Sequence, residues 1–365
     1  MAIQKINIKE FRELAKRFPV LDVRSPGEYG KAHIPGAVSL PLFTDEERKI
    51  VGTAYKQESR ETAIKIGLKY FGVKMVDLVE ETEKLVKTAA TDLNHKTVLV
   101  HCWRGGMRSA GIAWLLDLYG FKVYTLAGGY KAYRNWCLHH WNQDYPFCLV
   151  GGYTGSGKTK VLQSLANRNE VIIDLEALAC HRGSAFGSLG QPQQPSQEMY
   201  ENLLAEALSE ASASAVQRGT CIWIEDESQR IGNVNTPLEL FKTIRQKPVV
   251  FLDIPFEERL KEIVSGYGIF NKDEIRSAIE RITKRLGGLE TKNAISALEQ
   301  DDIPTCFRIL LQYYDKLYGK SLMQREKWED QVIKVASDQT DADKNAALIQ
   351  HALSKTYSHE RTTTN

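Results

Sequence analysis

The sequence predicts two α/β domains in tandem, each built on a parallel sheet, with a helical part completing the second. Three observations predict this. Short apolar runs alternate with stretches of helical period over residues 1–140, the pattern restarts at the fresh apolar run "FCLVGG" (147–152), and beyond about residue 255 it turns mostly helical. A chain of 365 residues is long enough for two such cores.

In the first domain (1–140), "FPVLDVRS" ends a strand in a polar turn, "VLVH" at 98–101 reads as a buried strand and "FKVYTL" at 121–126 as another. Between the last two, Ser109 to Leu118 sets Ile112, Ala113, Leu115 and Leu116 on one helical face, and Gly120 reads as its stop. Strand, helix, strand is a βαβ unit, so the sheet should be parallel. The polar, proline-bearing "HHWNQDYP" is a candidate linker. In the second domain (141–365), strands are expected at 147–151, 170–175, 220–227 and 248–254, alternating with helices. The segment 188–198, "SLGQPQQPSQE", reads as a mobile surface loop and the tail "SHERTTTN" as frayed.

Composition is that of a globular protein, 42% hydrophobic and 26% charged. Net charge is only +2, so a nucleic-acid partner would have to be met by a local basic surface. No run approaches the length of a membrane span, and "MAIQKINIKE" lacks a signal-peptide core, so no membrane association and a cytoplasmic location are expected. The six cysteines show no C-x-x-C, which argues against a disulfide framework or a zinc site. Most should be small buried hydrophobes.

Cys102 differs because of its context. In "HCWRGGMRS" a strand ends at the cysteine and a helix begins near Arg108, so the loop N–H groups and the helix N-terminus surround the sulfur. Such surroundings favour the thiolate. Gly105 and Gly106 permit the tight backbone of the cradle, and Arg104 and Arg108 can clamp an anion beside the sulfur. A buried structural cysteine is the plain alternative; glycine pair, flanking arginines and strand-to-helix position together argue against it. Upstream stand Asp22-Val23-Arg24, Glu28-Tyr29 and "HIPGA" (33–37), and downstream "LAGGYKAY" (126–133). This arrangement over residues 5–140 resembles the rhodanese family, a likeness that implies a sulfur or selenium carrier at Cys102. The loop departs from common sulfurtransferases in having five residues, Trp103 to Met107, between cysteine and arginine. That is also the spacing of a cysteine phosphatase.

The second domain opens on another anion site. Gly152-Tyr153-Thr154-Gly155-Ser156-Gly157-Lys158-Thr159 is a full P-loop motif, set between a strand-like run and a helical one. Its glycines let backbone N–H groups wrap a diphosphate, Lys158 neutralises charge and Thr159 can hold Mg²⁺. The second domain is therefore expected to be P-loop NTPase-like. Asp226 is the first candidate for the metal-side acid and Glu225 the second, although either can simply cap the next element. The polar stretch 179–190, with His181, Arg182 and Ser184, lies after the second strand of this domain. It reads equally as substrate contact or glycine-rich connector. Arg281 and Arg285 can face phosphate or RNA, with a solvated helix face as the plainer reading. Lys56, Arg60, Lys65 and Lys69, in the extra segment 51–72, face either RNA or solvent.

The order of these motifs, "HCWRGGMRSAG" and then "GGYTGSGKT", "HRGSAFG" and "IEDESQRIG", is similar to that of the bacterial tRNA 2-selenouridine synthases. The resemblance spans nearly the whole chain. It implies action on the wobble uridine of certain tRNAs, replacing the sulfur of 2-thiouridine with selenium from selenophosphate. It also implies geranylation from geranyl diphosphate, with selenation through the S-geranyl intermediate, and no permanent cofactor. On that likeness Cys102 takes selenium as Cys–S–Se⁻, while Arg104 and Arg108 hold the phosphate portion. The P-loop then grips the prenyl diphosphate with Lys158 and a Thr159-bound Mg²⁺, though ATP or GTP is the more usual occupant of the motif. A cysteine phosphatase fused to a nucleotide-binding module and a non-catalytic sulfur-relay adaptor stay open at this point.

Overall fold

Thr97–His101 (β4) is buried along its whole length and sits in the middle of an all-parallel five-stranded sheet. The order is β1-β5-β4-β2-β3, where β1 is Gln4–Ile6, β2 Val20–Asp22, β3 Val38–Ser39 and β5 Lys122–Leu126. This is a computed structural model describing residues 3–89, 96–325 and 328–363, and the chain divides into two compact units, Met1–His139 and His140–Asn365.

In the N-terminal unit, β4 pairs with β2 and β5 in register, Leu99 opposite both Val20 and Tyr124. Val98 and Val100 pack against Ile112 and Leu116 of helix Met107–Leu118, the face the sequence pattern picks out. The extra segment 51–72 continues into a helical hairpin, Asp45–Gln57 and Arg60–Ala89, which lays Phe71, Leu78 and Val79 on the same core. Thr44 and Glu47 start this hairpin by a reciprocal capping box. Lys56, Arg60, Lys65 and Lys69 all lie on its exposed side. The short strand β1 was not expected: "QKI" is too brief and polar to signal a strand, and pairing with β5 creates it.

In the second unit β6 (Phe147–Gly152) is central, with β8 (Ile222–Glu225) and then β7 (Val171–Ile173) on one side. On the other side stand β11 (Val249–Asp253) and then β12 (Val332–Ala336), all pairs parallel. The connection out of β6 runs to one side of the sheet and that out of neighbouring β11 to the other, so a topological switch point, where open α/β sheets bind ligands, lies at their C-terminal ends. Helices Lys158–Asn167 and Ala342–Thr363 cover one core, Val161, Leu162 and Leu165 meeting Ile349 and Leu353. Two strands, β9 (Arg230–Ile231) and β10 (Val234–Asn235), form a separate antiparallel ribbon.

Three expectations change here. Residues beyond 255 are mostly helical, yet they return one edge strand, β12, whose exposed Lys334 and lack of turn signals hide it in a helical context. The segment 188–198 is pinned rather than loose. The Gln194 side chain donates to Ala179 and Ile231 carbonyls and accepts from the Asn233 N–H, while Gln197 bonds Asn235 in both directions. The tail expected to fray continues helix Ala342–Thr363; Thr364 and Asn365 lie outside the described residues.

Candidate functional site

Cys102 stands where β4 ends, 3% exposed, with the loop 103–106 running on to helix Met107–Leu118. The Gly106 N–H donates to its Sγ at 3.3 Å, and the Ser109 hydroxyl lies 3.2 Å from the sulfur. Burial alone would raise the thiol's pKa. The bonds from Ser109 and Gly106, with the Arg108 charge, outweigh burial and hold it below the ordinary thiol value. The loop shape depends on Gly129, at φ +60°, where a Cβ would stand 2.3 Å from the Cys102 carbonyl oxygen and 2.5 Å from Gly105 N. Next to it the Tyr130 N–H donates to the Cys102 carbonyl at 2.8 Å and the Lys131 N–H to that of Trp103 at 2.9 Å.

The two candidate arginines differ. Arg108 is held by Glu28 through both guanidinium nitrogens, at 2.7 and 3.4 Å, and Arg48 binds the same carboxylate at 2.8 Å. Arg104 is exposed and has no ion-pair partner among the described residues. Beneath the loop Asp22 and Arg24 form a buried bidentate pair, and the Arg24 guanidinium lies 3.9 Å from the centre of the Tyr130 ring. His101, also buried, is pushed down to about 4 by its desolvation and so is neutral at physiological pH. Glu28, Ser109 and Gly129 shape this loop, although the sequence motifs that contain all three did not single them out as site residues. Ser109 had a signal in "RS"; Glu28 had one only as the acid of "SPGE", where its carboxylate also accepts from the Ser25 N–H.

In the second unit the motif residues Gly152, Gly155, Ser156, Gly157, Lys158 and Thr159 form one turn between β6 and helix Lys158–Asn167. Gly155, at φ +82°, presses on the backbone of Arg259, whose carbonyl oxygen would be 2.7 Å from any Cβ. Arg259 is itself buried, bonding the Thr154 carbonyl at 3.0 Å and Asp315 bidentately at 2.8 Å. Lys158 Nζ folds back to the Gly152 carbonyl at 3.0 Å, and the fully buried Ser156 hydroxyl has no hydrogen-bond partner among the described residues.

The structure brings Glu225, rather than Asp226, towards Thr159. Thr159 donates to Glu176 at 3.0 Å. Glu225 stands near that hydroxyl, and among the described residues neither of its buried oxygens has a hydrogen-bond partner. Burial, then the Glu227 charge, pushes Glu176 up to about 7; burial, then Glu176, raises Glu225 well above the carboxylate range. Asp226 instead accepts from Tyr318 at 2.8 Å and from buried Arg325, with Arg245 at 3.8 Å. Asp226 lies just past β8 with its N–H still donating to the Val150 carbonyl at 3.0 Å, and the alternation of an extended chain separates the two acids. Among the described residues no three His, Cys, Asp or Glu side chains are grouped to hold a metal.

The loop 181–190 is structured. Phe186 and Leu189 enter the core of the helical part, while Arg281 donates to the Ala185 carbonyl at 2.8 Å. Arg281 thus clips this loop in place, and Arg285 interacts with Tyr313. Arg182 is exposed. Ser184 lines a small crevice with Thr154 of the P-loop, Phe186, Tyr267, Phe307 and Tyr314.

The comparisons match both halves. A family model for the tRNA 2-selenouridine synthase AAA domain covers residues 145–351, and one for the rhodanese-like domain covers 7–135. A tRNA 2-selenouridine synthase of Pseudomonas syringae pv. tomato is 34% identical over 86% of this chain and 91% of its own. That of Pseudomonas putida W619 is 34% identical over 88% and 93%, and that of Hydrogenovibrio crunogenus 33% over 86% and 92%.

Two outcomes follow from this geometry. Ser109→Ala removes the largest stabilising bond to the Cys102 thiolate, so the midpoint of its alkylation–pH profile should rise by about one unit. An unchanged profile would mean the hydroxyl bonds only the Gly106 carbonyl. Glu225 has its folded-state pKa above the unfolded one, so its ionisation destabilises the fold as pH rises from the unfolded value. With chelator present, Glu225→Gln should raise the melting temperature at pH 8, by an amount worth about 1–3 kcal/mol, and the gain should fade towards pH 4.5.

Proposed function

The chain belongs to the tRNA 2-selenouridine synthase family, and from that premise we propose that it converts wobble 2-thiouridine of tRNA to 2-selenouridine. Selenophosphate is the proposed donor, and S-geranyl-2-thiouridine, made from geranyl diphosphate, the intermediate. Membership makes the chain a tRNA-modifying enzyme that draws on a selenium donor. The observation that carries the finer reading is the pairing, in one chain, of an activated cysteine in an anion cradle with a separate P-loop.

At Cys102 the thiolate is the nucleophile, with the Gly106 N–H and Arg104 available to an oxyanion, and with Arg108, held by Glu28, placing its charge near the sulfur. Electron balance divides two routes. Selenium in selenophosphate is already at the selenide level, so forming Cys–S–Se⁻ with release of phosphate removes two electrons and needs a disulfide-level oxidant. Attack on phosphorus needs none: the S–P bond forms, the P–Se bond breaks, and hydrogen selenide leaves with the pair. Water then frees phosphate from the cysteine. The five-residue spacing, shared with cysteine phosphatases, favours this second route. Hydrogen selenide displaces the geranyl thiolate from C2 of the base, forming C–Se and breaking C–S with no net oxidation.

At the P-loop, Lys158 and the backbone N–H groups hold the diphosphate of the prenyl donor. The crevice at Thr154, lined by Phe186, Tyr267, Phe307 and Tyr314, is apolar, but its volume of about 20 Å³ holds one water at most and so favours neither a prenyl tail nor a nucleotide. Thr159 and unpartnered Glu225 are oxygen donors suited to a Mg²⁺, which would supply charge neutralisation to the departing diphosphate.

Cys102→Ser should abolish selenation and leave geranylation within about twofold, read by nucleoside mass spectrometry; equal loss of both would overturn the division of labour. With wild type, phosphorus label from selenophosphate trapped on Cys102 supports attack on phosphorus, and selenium label supports the carrier form. Lys158→Ala should weaken geranyl diphosphate binding by roughly tenfold or more, the loss of one charge-assisted contact. Unchanged binding with lost ATP binding would assign the loop to a nucleotide. Efficient release of phosphate from an aryl phosphate would favour a phosphatase.

A further inference from the structure

We propose that Trp103 is the platform on which the substrate's wobble base stacks beside Cys102, with Arg104 and Lys131 meeting the flanking phosphates. The inference rests on the reading that tRNA is the substrate and that its base is delivered to the cysteine loop.

Trp103 is 37% exposed although it follows a residue that is 3% exposed. An indole left in water at the mouth of a reactive loop forgoes burial that the fold gives to Trp141 and Trp223. It is nonetheless held firmly from one side. Its ring lies 5.6 Å from that of fully buried Tyr130, and Tyr130 is backed by Arg24 at 3.9 Å. Arg24 in turn is fixed by Asp22 and by the Ala32 carbonyl at 2.7 Å. The Trp103 carbonyl takes the Lys131 N–H. A pile of this kind presents the rest of the indole to solvent with little freedom left to lose, which is what a stacking surface needs.

The rim matches the same ligand. Arg104 follows Trp103 in the loop, and Lys131 is tied to it through the backbone; both are exposed. The nearest acid of the site, Glu28, is already committed to Arg108 and Arg48, so it does not neutralise them. Met107, 53% exposed at the start of the following helix, adds soft apolar surface. An aromatic face flanked by free cations is the recognition chemistry of an unpaired nucleotide, where base stacks and phosphates pair. A wobble base in a single-stranded loop is such a nucleotide.

The test uses the full-length protein and two synthetic anticodon stem-loops, one with 2-thiouridine at the wobble position and one abasic there. Binding is measured by anisotropy with neither selenophosphate nor geranyl diphosphate present, so failure of the selenium chemistry leaves the result interpretable. Wild type should prefer the intact stem-loop by about tenfold. Trp103→Phe should keep most of that preference, whereas Trp103→Leu, apolar but without a ring face, and Trp103→Ala should lose it. Cys102 alkylation at unchanged rate reports that the loop is intact in each variant. The proposal is overturned if Trp103→Leu prefers the intact base as wild type does. It is equally overturned if the variants lose affinity for both RNAs by the same factor, or if wild type binds neither.

Discussion

A single close approach, Gly129 against the Cys102 loop, governs the N-terminal site. With no Cβ to intrude, the first turn of helix Gly129–His139 comes within bonding distance of the loop, and its Tyr130 and Lys131 N–H groups take up the Cys102 and Trp103 carbonyls. Carbonyls so occupied are turned away from the sulfur, which leaves the Gly106 N–H to meet it. The same approach sets Tyr130 in contact with both Arg24 and Trp103. Thiolate stabilisation and the setting of the indole are thus two consequences of one packing contact.

The second unit repeats the device with different parts. Gly155 lies on the Arg259 backbone, and Arg259 joins the P-loop to Asp315 of the helical part. The result is a turn whose N–H groups are positioned before any anion arrives, so little reorganisation is needed on binding. Beside it the carboxylates Glu176 and Glu225 are crowded into a buried space, which costs stability until something positive joins them. Such conflict with folding is expected where a site is built for a ligand rather than for itself.

Both loops were legible in the sequence because each combines a strand, a glycine-rich turn and a helix start within a dozen residues. The central strands β4 and β6 were legible for the same local reason. What sequence could not show is pairing across distance. Glu28 meets Arg108 only after β2 and β4 become neighbours, and nothing near either residue announces it. Asp226 looked the better acid in "IEDES", but just past the end of β8 it turns to Tyr318 and Arg325 and leaves Glu225 beside Thr159. The glutamines at 194 and 197 were read as loop composition, and they act as clips for a ribbon formed nearly forty residues later. Edge strands β1 and β12 were missed because they owe their conformation to a neighbour rather than to their own residues.

The net charge of +2 reflects nearly equal numbers of basic and acidic residues, 48 and 46, and beside the two sites most arginines are paired. Arg24, Arg108, Arg259 and Arg325 each face a carboxylate, so most guanidinium charge near the sites is consumed in setting geometry. Pairs of this kind lend little net attraction to a distant polyanion, because the field of each is cancelled within a few ångströms. Recognition of RNA at these sites then falls to the cations left unpaired beside them and to surfaces that bind bases without charge. At the cysteine loop those are Arg104, Lys131 and the exposed face of Trp103. Affinity built this way depends less on salt than that of a broadly basic protein and more on the base presented, which suits an enzyme that must act on one nucleotide among many.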